Sequence, residues 1–236
     1  MRWAWGLEGG MESEPAKKPI TTACVGDCKG HAVDVPNWTQ VTVVGNCDTA
    51  RANVYQVAVA GVGGTATYKD DAHGVVAVAS HYGNASTGNG GVAISNGGLA
   101  HAEAWAIAHA KGGKAEAVGC GVAVTAGGYA SAGENGIGIG WFSNHTVAKV
   151  EAGPGGVAIG DTGCLVRVGK GGVLIAMADH ALGRATKICR VGEGGIMAEK
   201  WYEIELDTNG QFKFKLVEPP TEWKPTTTQC PMPPKA

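Results

Sequence analysis

The sequence predicts an all-β fold, a β-solenoid of about eight to nine short coils closed by a C-terminal β-hairpin, and three observations lead there. The stretches 92–106 (VAISNGGLAHAEAWA), 107–121 (IAHAKGGKAEAVGCG) and 122–136 (VAVTAGGYASAGENG) align without a gap. A short fixed period of this kind marks a stacked architecture. Each unit is also broken by a Gly-Gly pair, and glycines total 39 in 236 residues. Paired glycines at that interval would break any helix, whereas tight corners need the positive φ that Gly supplies. Finally, small and larger residues alternate with period two, the signature of strands.

Taken in chain order, the first element is an N-terminal extension, 1–40. It opens MRWAWGLEGGMESEPAKK, without the apolar core of a signal peptide. Within it, Cys24, Cys28 and His31 (CVGDCKGH) are residue types that zinc selects, with Cys47 or Asp27 as conceivable completion. The spacing matches no common zinc knuckle, so unpaired thiols or a Cys24–Cys28 disulfide stay open beside the metal reading. The solenoid repeats are expected over 41–195. A degenerate first unit covers 41–56, and strands then open at Val57, Val76, Val92, Ile107, Val122, Ile137, Val157 and Val173. The intervals are 19, 16, 15, 15, 15, 20 and 16, regular in the middle and bulged outside it.

Within a unit the two strands differ. In the second, Ala100 and Ala102, Ala115 and Ala117, and Ala130 and Ala132 take alternate positions, with Leu99, His101, Lys114, Glu116, Tyr129 and Ser131 between them. That strand is predicted to put Ala inward and polar groups outward. In the first strand Ala93, Ala108, Ala123 and Ala158 fill one face. The other face carries Val92, Ile94, Ile107, His109, Val122, Val124, Ile137 and Ile139, continued by Val157 and Ile159. With Ala against Ala inside a thin coil, a ladder of Val and Ile is left pointing out. Such a ladder exposes on the order of 600 Å² of apolar surface, more than monomers usually tolerate. Covering it is worth roughly 15 kcal/mol before the costs of association. The expected cover is a second and third copy, a homotrimer; a dimer or the chain's own N-terminal forty residues would also serve. His109 interrupts the ladder and is expected to hydrogen-bond to symmetry mates or water, with an intersubunit ion site as the alternative.

The hairpin is predicted over 196–217 from register alone. Pairing Leu206 with Phe212, Glu205 with Lys213 and Ile204 with Phe214 sets apolar opposite apolar and Glu opposite Lys. Gly210 then takes the left-handed position of the loop. A Pro-rich tail, 218–236, follows.

Composition bounds the function. Only three Phe and five Tyr are present, with 44% hydrophobic residues and a net charge of −2. No basic patch points to nucleic acid, and no stretch reaches the length of a membrane span. Seven cysteines at irregular spacing do not form a disulfide framework. Asp161-Thr162-Gly163 spells an aspartic-protease triplet but sits at a corner of the repeat, where it is expected to be a turn. No nucleophile–base pairing emerges, so neither enzymatic activity nor a cofactor is expected.

The GxAxAxGxxGxAxAG rhythm resembles the head repeats of trimeric autotransporter adhesins, which form trimeric left-handed β-rolls. It is more similar to a family of bacteriophage-encoded proteins with tandem GAASATG-like units. The corresponding stretches are KVEAGPGGVAIG (149–160), VGKGGVLIAMADH (168–180) and VGEGGIMAEKWYEIELDTNGQF (191–212). The resemblance spans roughly residues 57–217 and implies phage or prophage origin without implying a reaction. The expected function is therefore a structural or adhesive component of a virion or tail. The alternative is an intracellular phage factor that binds a host protein or small ligand, for example against host defence. Either fits a location in the virion or the host cytoplasm.

Irregular positions are the candidate recognition surface. Residues 141–156 form the longest insertion, and insertions in solenoids often carry binding. Trp141, Phe142, Asn144 and His145 there combine stacking area with hydrogen-bonding groups suited to a host glycan or protein, the alternative being that Trp141 and Phe142 pack over a bulged corner. Trp105, which replaces a small corner residue, and the stretch 68–73 (YKDDAH) also break the pattern.

Overall fold

The computed structural model describes residues 22–24, 32–33, 41–44, 49–53, 55–68, 72–143, 146–180 and 183–219. It is all-β. The chain opens with β1 (Thr22–Cys24), β2 (Ala32–Val33), β3 (Val41–Val44), β4 (Thr49–Ala52), β5 (Val57–Ala60), β6 (Thr65–Tyr68), β7 (Val76–His81) and β8 (Asn84–Thr87). The regular coils hold β9 (Val92–Asn96), β10 (Leu99–Ala102), β11 (Ile107–Lys111), β12 (Lys114–Ala117), β13 (Val122–Ala126) and β14 (Tyr129–Ala132). Then come β15 (Ile137–Trp141), β16 (Lys149–Ala152), β17 (Val157–Asp161), β18 (Leu165–Val168), β19 (Val173–His180), β20 (Gly183–Arg190), β21 (Trp201–Leu206) and β22 (Phe212–Val217).

Odd strands from β1 to β19 stack in parallel as one sheet, and even strands from β2 to β18 stack as the other. Every expected strand opening falls on one line of register, from Val57 through Val76, Val92, Ile107, Val122, Ile137 and Val157 to Val173. The stacking also reaches back to Thr22, because β1 pairs with β3 and β2 with β4. It therefore includes described residues of the stretch 1–40 expected as an N-terminal extension.

Two glycines at each odd-to-even corner of the regular coils have different duties. Gly97, Gly112 and Gly127 have φ of 82°, 70° and 71°, a region costly for residues with a Cβ. Their partners Gly98, Gly113 and Gly128 pass over the rung before them. A Cβ there would lie 2.0 to 2.1 Å from the carbonyl oxygens of Gly83, Gly98 and Gly113. The repeated Gly-Gly is thus a turn requirement followed by a close-approach requirement.

Alanine fills the interior between the sheets. Ala93, Ala108 and Ala123 of the odd sheet and Ala100, Ala115 and Ala130 of the even sheet are completely buried. The hydroxyls that replace Ala inside are hydrogen-bonded to backbone: Thr87 to Val75 O, Ser95 to Gly83 O and Thr125 to Ala110 O. Toward the C-terminal end the core thickens. Val150, Val166, Val168, Leu174 and Ile204 are fully buried, and glycines make room for them. A Cβ on Gly140 would stand 2.4 Å from Val150, and one on Gly160 would stand 2.8 Å from Ile204 and from Val166.

Each sheet ends in an antiparallel hairpin, of which the sequence showed one. The β21/β22 pairing is Leu206↔Phe212, Glu205↔Lys213 and Ile204↔Phe214, as the charge and apolar register required. Gly210 has φ 73°, and Asp207 closes the loop by accepting from Asn209 N and Gln211 N. This hairpin joins the even sheet edge-on through β18. The other hairpin, β19/β20, pairs residues from Val173↔Arg190 to His180↔Gly183. Parallel stacking accordingly stops at β19 instead of continuing to 195. Residues 174–178 keep alternating with no glycine pair to turn the chain, so the strand runs long and folds back. Lys187 ties the two hairpins together, donating to Phe212 O at 2.9 Å.

Candidate functional site

The outer faces of the two sheets are chemically opposite. On the even sheet, Glu151 accepts from Arg167 at 2.7 Å, from Ser131 at 3.2 Å and from the Tyr129 hydroxyl. Burial, together with the Glu151 carboxylate beside it, pushes the Tyr129 phenol well above its usual range. Lys114 and His101 flank Glu116 at 3.2 and 3.7 Å, and the Arg167 guanidinium stacks over Trp201. This face is ion-paired within itself.

Among the described residues, the outer face of the odd sheet has no such ion-paired network. Two columns run along it in strict register, since parallel pairing places like positions side by side. One is Val92, Ile107, Val122, Ile137, Val157 and Val173; the other is Ile94, His109, Val124, Ile139, Ile159 and Ile175. Their side chains are half-buried by rung neighbours yet open to solvent, with Ile107 43% exposed. His109 stands between Ile94 and Val124. Ile188, paired with Ile175, extends the face onto β20.

The insertion is smaller than the sequence implied. β15 ends at Trp141 and β16 begins at Lys149, so the extra residues lie between them. Residues 149–156 are an ordinary strand and corner: a Lys149–Ala152 rung pairs with β14, and a turn follows in which Gly156 N donates to Gly153 O. The insertion narrows on a tight turn in which Ser143 and Thr146 exchange backbone hydrogen bonds of 3.3 and 2.8 Å. Trp141 pairs with Ala126 and, by alternation from Ile137 and Ile139, shares the ladder face. It and Phe142 are exposed. Asn144 and His145 lie outside the described residues. A cleft of about 300 Å³ beside the turn is lined by His81, Asn96, Lys111, Gly127, Ser143 and Thr146 among others.

A larger cleft, about 640 Å³, lies at a corner running from the even to the odd strands and is lined by Tyr68, Ala72, His73, Gly88, Asn89, Gly90 and Glu103. Its place is only hinted at in the sequence, by the irregular stretch 68–73 and by Trp105. Spacing along one chain does not show that these two features are neighbours across stacked coils.

Cys24 falls on β1, and Cys28 and His31 lie outside the described residues. Among the described residues no group of three His, Cys, Asp or Glu is arranged to hold a metal ion. Cys120, Cys164 and Cys189 are free thiols, and burial pushes Cys164 up to about 11. Asp161-Thr162-Gly163 is a turn, with Cys164 N donating to Asp161 O at 3.0 Å and Gly163 at φ 81°. Comparison with known protein families, curated proteins and solved structures finds no match.

Proposed function

We propose that this chain is a non-enzymatic, self-assembling structural or adhesive protein of phage type, in which three copies join along their odd-sheet faces. The observation that carries the reading is the contrast between the two outer faces. One neutralises its own charges; the other presents two columns of Val and Ile over the regular coils, one of them interrupted by His109. On the order of 600 Å² of apolar area per copy approaches the roughly 800 Å² per partner of a standard interface. A second copy is the occupant that fits, because its own columns repeat at the same rung spacing and mesh along the whole face. Three such faces around an axis would give the large-residue core that each alanine-filled coil lacks. His109 would then meet its equivalents, where hydrogen bonds between imidazoles or a shared ion would hold them.

Light scattering at micromolar concentration tests this. Three copies are expected for the wild type, dissociation for Val92→Asp, Ile107→Asp or Val122→Asp, and no change for Lys114→Asp. A wild-type monomer overturns the reading. An intracellular factor that binds a host protein or small ligand is the second reading, favoured by the corner cleft. Mass spectrometry of purified virions separates the two by the presence or absence of the chain.

A further inference from the structure

We infer that the corner cleft between Tyr55 and Trp105 is a saccharide-binding site for a neutral oligosaccharide, distinct from the exposed pair Trp141–Phe142. Four corners stack there in register: Tyr55 N donates to His73 O at 3.1 Å, Gly74 N to Asn89 O at 3.0 Å and Gly90 N to Ala104 O at 3.2 Å. The turning residues of the four are Tyr55, Gly74, Gly90 and Trp105, with φ of 55°, 66°, 67° and 59°. Glycine adopts that conformation freely, and bulky aromatic residues do so at a cost in stability. Two aromatic residues hold it here and leave their side chains 76% and 75% exposed. Core packing does not account for them.

The two differ in support. The Tyr55 ring lies over Gly74, where a Cβ would come within 2.5 Å of it, and meets His73 edge-on at 5.2 Å. Gly90 has open space where a side chain would project. Two exposed aromatic residues therefore stand at turns three rungs apart, roughly 14 Å of strand spacing along the backbone, with the open Gly90 corner between them. That span suits two or three sugar rings. Polar groups line the same floor. Tyr68 donates to Glu103 Oε1 at 2.8 Å, which fixes the carboxylate and leaves its second oxygen to accept from a hydroxyl. Asn89 and His73 line the cleft beside it and add donors and acceptors. Flat apolar faces with a few fixed hydrogen-bonding groups between them are what a sugar's C–H face and hydroxyls require. Among the described residues the lining includes one carboxylate and no Lys or Arg, which disfavours an anionic glycan.

The inference goes beyond the assembly reading, since the site belongs to one chain and lies away from the odd-sheet columns. The test is a glycan array bearing neutral, sialylated and sulfated saccharides, followed by calorimetry with the best neutral binder. Trp105→Gly is the decisive variant. It installs the residue that Gly74 and Gly90 already use, so its melting temperature should equal or exceed that of the wild type. Binding should fall at least tenfold in Trp105→Gly and severalfold in Glu103→Gln, and stay unchanged in Trp141→Ala. Binding by no neutral glycan, binding only to charged glycans, or full retention in Trp105→Gly would overturn it. Light scattering on the same variants reads assembly independently, so loss of the site and loss of the oligomer are told apart.

Discussion

Gly140 and Val150 offer the sharpest test of the core. In the coil 107–117 alanines face alanines, all completely or almost completely buried. In the coil 137–152 the odd strand carries Gly138 and Gly140, and the even strand carries Val150. A Cβ on Gly140 would lie 2.4 Å from Val150 Cγ2 and 3.0 Å from Ala148 Cβ, against the roughly 3.5–4.0 Å at which carbons attract. Gly140 is not in the left-handed region, so Gly140→Ala adds volume and no backbone strain. Overpacking typically costs about 1–3 kcal/mol, and less entropy in the unfolded chain returns about 0.4–1 kcal/mol. A net loss of about 1–2 kcal/mol is expected. Val150→Ala should cost about 2 kcal/mol from lost burial and the void left behind. The double variant rebuilds alanine against alanine, so it should cost less than the two losses added, by roughly 1–2 kcal/mol. Urea unfolding followed by circular dichroism measures all three. Additivity within about 0.5 kcal/mol would show that the two residues do not share one space, and the account of the core would fall.

Two further outcomes follow from the same geometry. Ala115→Leu, at a completely buried position, should lower the melting temperature by several degrees. Glu116→Leu, on the outer face, should change it little, and equal effects would mean the faces are reversed. Alkaline stability should also fall. Cys164 ionises near 9 when unfolded and at about 11 in the fold, so the native state holds its proton more tightly between those values. Stability conferred by the neutral thiol is complete below about pH 9 and is lost as pH rises toward 11, by at most about 2–3 kcal/mol. Tyr129, also raised, acts in the same direction. Chemical unfolding at pH 8, 9, 10 and 11 should show a shallower decline in Cys164→Ala; an unchanged slope would remove the thiol from the explanation.

Most of the architecture was legible because the repeat is short and its grammar local. Alternation gave the faces, Gly-Gly gave the corners, and the pairing of Glu with Lys gave the hairpin register. What escaped was information that lies between coils. The β19/β20 hairpin is encoded by a missing turn signal after Met177, and an absence is harder to read than a motif. The insertion was overestimated because Gly-Pro-Gly-Gly at 153–156 looks irregular in sequence. In the fold it is a normal corner, with Gly155 at φ 67° and its N–H bound to Lys170 O. The corner cleft draws on residues from Tyr68 to Glu103, which only stacking brings side by side.

The alanine core and the apolar ladder are two sides of one design. An alanine interior lets the sheets approach closely, and it buries one methyl group per inward position, a small hydrophobic gain for each residue ordered. The large side chains that a compact domain would turn inward stand on the outer face of the odd sheet instead. Burying them further requires another surface, so in the proposed assembly the stability of a rung and the association of copies would draw on the same Val and Ile residues. The C-terminal end of the stack follows the opposite logic. Both sheets finish in antiparallel strands rather than a bare parallel edge, and those strands carry Lys187, Lys213 and Lys215. Charged edge strands resist further pairing. If copies assemble as proposed, lateral apolar columns and a charged terminal edge would together favour side-by-side association and oppose growth from the C-terminal end.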